Sequence, residues 1–174
     1  DLDDGLGKLL AAIDSLALAE NTYIIYMSDN GSVPNIPGAK QYEESYNYPL
    51  SRGKWDAMEG GVRVPLIIRG PGIKPGIEST VPVSGTDMLP TIVDLAGDGT
   101  REFKSIDGGS FKEILVSNQS DSIDRPVPGL FFHVPYRNGI ALKRPHSALR
   151  MGDFKLLKFQ DTEESLLFNL NADI

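Results

Sequence analysis

Between Thr22 and Gly31 the chain reads TYIIYMSDNG, and no other stretch limits its fold as much. Five of the six residues from Tyr23 to Ser28 are apolar or aromatic, and none is charged. Such a run suits a strand buried on both faces of a parallel sheet. The strand stops on Asp29-Asn30-Gly31, a carboxylate, an amide oxygen and a flexible glycine. Open α/β sheets bind ligands at the carboxyl ends of their strands, where Asp29 and Asn30 would offer two oxygen donors to a hard cation. Asn-Gly is also the commonest hairpin turn. A hairpin needs a second strand at once, and the segment that follows, Ser32-Val33-Pro34-Asn35-Ile36-Pro37-Gly38, carries prolines that cannot feed a central ladder.

A second stretch, Arg52 to Pro65, reads RGKWDAMEGGVRVP and supplies the complementary charge. Lys54 stands in a glycine-containing loop, and Glu59-Gly60-Gly61 leads into the uncharged strand candidate Val64-Pro65-Leu66-Ile67-Ile68, closed by Gly70-Pro71-Gly72. A lysine ammonium is a compact point charge on a long stem, suited to the oxygens of a tetrahedral anion beside a metal. Taken alone, Lys54 is more simply a solvated surface lysine.

The order strand-SDNG, a variable loop, PLSRGKWDAMEGGVRVPLIIRGPG and then TDMLPTIVDLAG resembles the carboxyl-terminal half of a sulfatase, in the alkaline phosphatase superfamily. The resemblance implies an α/β fold: part of a doubly wound, alkaline-phosphatase-like sheet with flanking helices, followed by a small antiparallel sheet. It implies that Asp29 and Asn30 ligate calcium and that Lys54 contacts the sulfate group. The parent protein would be a calcium-dependent sulfuric ester hydrolase acting on aryl or carbohydrate sulfates through a formylglycine nucleophile. Such families point to a periplasmic, secreted or lysosomal location.

The sequence departs from the family pattern in places. Members often carry Arg-Gly-Gly-Lys at the lysine, whereas this chain has Ser51-Arg52-Gly53-Lys54. Formylglycine arises in a Cys(or Ser)-x-Pro-x-Arg motif, and the chain has no cysteine. Its nearest serine match, Ser32-Val33-Pro34-Asn35-Ile36, lacks the arginine. The family's amino-terminal aspartates, lysine and histidines also lack counterparts, so the chain reads as a fragment whose partner is the missing amino-terminal half. Calcium usually takes about six to eight oxygen ligands, so these residues alone should bind it weakly and hydrolyse nothing.

A net charge of −7, spread without blocks of like charge, argues against nucleic acid or an anionic membrane surface as partner. No apolar run reaches the roughly 18 residues of a membrane span. Without cysteine there is no disulfide framework from which to infer a redox compartment.

Along the chain, Leu2, Leu6, Leu9, Leu10, Ile13 and Leu16 recur at helical spacing, predicting an amphipathic helix over 3–19 whose buried face packs on the strand at 22–28. Ser32 to Leu50 reads as a long irregular loop whose tyrosines, Tyr42, Tyr46 and Tyr48, pack it onto its own domain or line a sugar or aryl site. Thr86 or Asp87 caps a helix bearing Leu89, Ile92, Val93 and Leu95, with Gly97 as its stop; capping accounts for Asp87 without a catalytic role. Residues 1–97 are assigned to the catalytic body and 98–174 to a carboxyl-terminal subdomain, with a short helix near 110–116.

The last stretch predicts an antiparallel meander: Leu130 to Val134, Ser147 to Met151, Phe154 to Phe159 and Leu166 to Leu170. Both histidines lie here. Through the resemblance His133, Arg137 or His146 could read the sugar or aryl group, while strand-end packing explains the histidines equally well. Two other readings stay open: a phosphomonoester or phosphodiester hydrolase of the same superfamily, and a non-catalytic interaction fragment in which Asp29 and Asn30 merely cap a strand.

Overall fold

The computed structural model describes residues 1–34, 47–100, 103–137 and 144–173. The chain opens with helix α1, Leu2–Ser15, started by a capping box between Asp1 and Asp4. A single 3-10 turn, Ala19–Asn21, leads to strand β1, Ile24–Met27. The helical spacing is real, but α1 buries no residue fully. Leu6, Leu10 and Ile13 are half-buried, whereas Leu2, Leu9 and Leu16 are exposed, so the predicted core face is only partly covered. Arg69 ties α1 down through a 2.7 Å ion pair with Asp14.

β1 pairs antiparallel with β2, Leu66–Arg69, in the register Ile24 to Arg69 and Met27 to Leu66. The expectation of a parallel neighbour buried on both faces does not hold for this pair: Ile24 and Ile25 are half-buried, and Tyr26 and Met27 are exposed. The two strands are nonetheless not a hairpin, because the loop and helical turn α2, Glu59–Val62, lie between them. Of the tyrosines expected to pack the long loop, Tyr48 is 91% exposed, which corrects that reading for this residue. Tyr42 and Tyr46 lie outside the described residues.

Helix α3, Met88–Leu95, is entered through a 3-10 turn, Gly85–Asp87. Neither Thr86 nor Asp87 caps it with its side chain. Ser84 is the cap of the entering turn, and Asp87 closes the box by accepting the Ser84 N–H at 2.7 Å. Asp87 is fully buried and also takes a two-pronged bond from Arg125, at 2.8 Å from Nε and 2.7 Å from Nη2. Helix α4, Lys112–Ser117, follows and ends on Asn118 in the left-handed conformation. The α3 and α4 segments are joined by Phe111 N–H donating to Thr91 Oγ1 at 3.0 Å and by Lys112 reaching Asp94 at 3.1 Å.

The meander appears as predicted. Strands β3 (Leu130–Val134), β4 (His146–Met151), β5 (Phe154–Phe159) and β6 (Ser165–Asn169) form one antiparallel sheet in chain order. Its inner face carries Ala148, Leu157 and Phe159, packed with Ala57, Met58, Phe132 and Val134. On its outer face Phe131, Leu149, Leu156 and Leu167 stand side by side across all four strands. Ala57 and Met58 belong to the loop that carries Lys54, so the core of the terminal sheet is built partly around that loop.

Candidate active site

Backbone bonds weld the two motifs singled out in the sequence. Gly31 N–H donates to Gly61 O at 2.9 Å, and Lys54 N–H donates to Ser32 O at 3.0 Å. Contact is this close because Gly31 has no side chain; a Cβ there would collide with the Gly60 carbonyl. Asn47 fastens the same joint. Its Oδ1 accepts the Ser32 N–H at 3.1 Å, and its Nδ2 donates to the Ser32 and Arg52 carbonyls, each at 3.0 Å. Arg52 and Trp55 hold positive φ values of 67° and 75°, sparsely populated for non-glycine residues, on either side of Gly53-Lys54.

At the end of β1, Ser28 Oγ donates to Asn30 O at 2.8 Å and shapes the turn. Asn30 Nδ2 donates to Gly31 O at 3.0 Å, which leaves Oδ1 as the side chain's acceptor. Asp29 is exposed and Asn30 half-buried. Their donors are oxygens of the type a hard cation takes, so the pair fits calcium as part of a ligand set. Among the described residues no group of three His, Cys, Asp or Glu side chains gathers to complete one.

A cleft of about 510 Å³ opens over this joint, lined by Tyr26, Ser28, Asn30, Asn47, Lys54 and Arg63 among others. Asn30 and Lys54 thus share one concavity. Lys54 is half-buried, with Nζ 5.9 Å from the centre of the Trp55 ring. Arg63 and Asn47 are the cleft residues that sequence reasoning passed over. Arg63 stands two residues after the Gly60-Gly61 pair and could have been found there as a second cation, whereas Asn47 sits in an irregular segment with no pattern to mark it.

The three residues proposed to read the rest of a substrate lie elsewhere, in the terminal sheet and the loops beside it. His133 is exposed, with Nδ1 2.8 Å from Ser147 Oγ and 3.1 Å from Gln160 Nε2. Arg137 is exposed and paired with Asp161 at 2.7 Å. Asp161, held also by Arg144, has its carboxyl below the usual range: its two arginine partners outweigh a desolvation that acts the other way. His146 is fully buried, and its place corrects the expectation of substrate contact. Its Nε2 accepts the Ala57 N–H at 3.1 Å, and its Nδ1 donates to Arg144 O at 2.8 Å, leaving no ring nitrogen for a ligand.

Beneath the Lys54 loop lies a buried set of charges that the sequence reading did not identify. Lys155 Nζ donates to Glu59 Oε1 at 2.8 Å, and Arg150 Nη1 stands 3.5 Å from Oε2 of the same carboxylate. Burial, opposed by Glu59, pushes the Lys155 ammonium below the usual lysine value. Next to them, Asp56 Oδ1 accepts the Met58 N–H at 2.8 Å, while Oδ2 is buried with no hydrogen-bond partner among the described residues. Desolvation raises the Asp56 carboxyl above its ordinary value despite the nearby cations.

Comparison with known proteins gives a consistent answer. The family model described as Sulfatase matches residues 1–98, and that described as N-sulphoglucosamine sulphohydrolase, C-terminal, matches residues 54–174. Steryl-sulfatase of Rattus norvegicus is 33% identical over 152 residues, covering 85% of this chain and 26% of the relative. Arylsulfatase K of Danio rerio is 30% identical over 99% of this chain and 30% of its own length. The solved structure of BT4656 in complex with its substrate D-glucosamine-2-N,6-O-disulfate is 26% identical, with a TM-score of 0.72 over 98% of this chain and 32% of that one. The chain therefore spans under a third of the length of each of these relatives.

Proposed function

The chain belongs to the sulfatase family, and on that ground we propose that it forms the carboxyl-terminal part of a hydrolase of sulfate esters. The observation that carries this reading is the shared cleft of Asn30 and Lys54, held by the Gly31–Gly61 and Lys54–Ser32 bonds. Two sequence-distant motifs meet there, one offering oxygen donors and the other a cation.

In this reading Lys54 binds the sulfate oxygens and offsets charge that develops on them as the ester bond breaks. Trp55 flanks the ammonium, and Asn47 fixes the loop that presents it. Arg63 adds a second positive group at the cleft wall. Asp29 and Asn30 would hold calcium together with ligands from outside this chain, and the ion would supply fixed positive charge beside the sulfate. The formylglycine nucleophile is assigned to the part of the protein beyond these residues. Aryl and carbohydrate sulfates are the proposed substrates, with His133 and Arg137 as the exposed groups of the terminal subdomain, residues 98–174, able to meet a long substrate. A periplasmic, secreted or lysosomal location accompanies this reading; among the described residues no helix is long and apolar enough to cross a membrane.

The test is sulfate release from aryl and sugar sulfates by the full-length protein, with phosphate esters assayed in parallel. Asp29→Ala and Lys54→Ala should each lower kcat/KM by roughly a hundredfold or more while the protein stays folded, a loss typical of removing a preorganised charged group. Undiminished turnover in both variants, or preference for phosphate esters, would refute the assignment.

A further inference from the structure

We propose that Lys155 and His146, on the terminal sheet, are positioning residues for Lys54, so that the sheet sets the geometry of the sulfate-binding cleft. This rests on the role given to Lys54 above.

The loop from Ser51 to Gly61 is gripped from two sides. On the cleft side it is held by the end of β1, through Lys54 N–H to Ser32 O at 3.0 Å and Gly61 O from Gly31 N–H at 2.9 Å. On the opposite side the grip comes from residues about ninety positions downstream. His146 Nε2 takes the Ala57 N–H at 3.1 Å, and Lys155 Nζ binds Glu59 Oε1 at 2.8 Å, with separations of 89 and 96 residues. Both contacts fall within five residues of Lys54.

The chemistry of this second grip argues for direction rather than cohesion. Apolar side chains pack around it beside Arg150 and Asp56: Ala57 and Leu157 are fully buried, and Phe132 and Phe159 pack nearby. Lys155 is 1% exposed and Glu59 4%, and a buried pair of this kind often contributes no more to stability than apolar side chains of similar volume would. What apolar packing lacks is a fixed direction. The Lys155–Glu59 bond sets the start of α2, and the His146 bond fixes the peptide two residues before it, so the backbone that emerges at Trp55 and Lys54 has one course. Arg150 at 3.5 Å holds the second Glu59 oxygen and prevents the carboxylate from turning.

A double-substitution cycle on sulfate release by the full-length protein tests the proposal. Lys155→Met should lower kcat/KM by roughly 10–100-fold, the scale expected of a displacement near 1 Å, in protein whose Tm stays above the assay temperature. In a Lys54→Ala background the same substitution should cost about twofold or less, because the group it positions is already gone. An equal loss in both backgrounds, or unchanged turnover in Lys155→Met alone, would overturn the proposal while leaving the role of Lys54 intact. A silent Lys54→Ala would overturn both. Where Lys155→Met does not fold, His146→Leu, which removes the acceptor for the Ala57 N–H, reads the other contact in the same cycle, with the same outcomes deciding.

Discussion

Lys155 Nζ lies 2.8 Å from Glu59 Oε1, joining the third strand of the terminal sheet to the helical turn that follows the Lys54 loop. Removing one partner strands the other in a low-dielectric site, whereas removing both does not. Lys155→Ala is expected to cost about 3–5 kcal/mol, and a combined Glu59→Met, Lys155→Met variant should lie closer to wild type than either single change. Urea midpoints of the variants decide this. A double variant as unstable as the sum of its parts would mean that the two side chains are not coupled, and one well below wild type would mean that the pair's attraction exceeds its desolvation cost.

This pair also shows where sequence reading stops. The segment Phe154 to Phe159 reads as a strand facing its neighbour across the Gly152-Asp153 turn, and it is one, but its sequence does not say which face is buried. Each face carries one lysine beside two apolar residues, Lys158 with Phe154 and Leu156, or Lys155 with Leu157 and Phe159, so placing charge outward does not choose between them. The structure buries Lys155, Leu157 and Phe159, because Glu59 compensates a lysine from far away in the chain. The meander, β1, β2 and α3 were legible because periodicity and turn residues are local signals. Asp29, Asn30 and Lys54 could be singled out as candidates because each stands in a motif, and of these the cleft brings Asn30 and Lys54 together. Asn47, the burial of His146 and the α2 turn across Gly60-Gly61 depend on partners distant in sequence, which no local pattern encodes.

Asp87 and Arg125 form a second buried pair of a different kind. Arg125 is 10% exposed on its side chain and Asp87 fully buried, and the carboxylate also accepts the Ser84 and Gly109 N–H groups at 2.7 and 3.0 Å. Arg125→Ala should therefore destabilise the α3 to α4 region by about 3–5 kcal/mol, while Asp87→Asn, which keeps an acceptor oxygen, should cost less than Asp87→Ala. Amide hydrogen exchange across α3 would register the difference; equal protection in Arg125→Ala and wild type would contradict it.

Gly31 and Gly85 offer a matched pair of glycine substitutions. A Cβ on Gly31 meets the Gly60 carbonyl, with backbone on both sides and no flexible side chain to yield, whereas one on Gly85 meets nothing within 4 Å. Gly31→Ala should cost about 1–3 kcal/mol and push Asn30 away from the Lys54 loop, lowering sulfate turnover as well. Gly85→Ala should change neither stability nor turnover measurably. Thermal unfolding and kinetics on the two variants, run together, would separate the close approach from a general intolerance of added methyl groups. A Gly31→Ala protein as active as wild type would show that the two motifs need not touch.

The orphaned Oδ2 of Asp56 makes stability depend on pH in an unusual direction. Desolvation raises this carboxyl, so the native state binds its proton more tightly than the unfolded chain does. The linkage then runs opposite to that of a salt-bridged carboxylate. As pH rises from the ordinary carboxylate range through the raised value, native stability is lost, and the penalty stays in force at neutral pH. Asp56→Asn removes the charge while keeping an oxygen for the Met58 N–H. It should stabilise the protein near neutral pH by about 1 kcal/mol, and the gain should shrink toward zero below the ordinary carboxylate range. Urea unfolding of both proteins across a pH series measures the difference directly. An Asn variant less stable at neutral pH would show that attraction to Arg52 and Lys155 outweighs the burial of the charge, and would make Asp56 part of the same latch as Glu59.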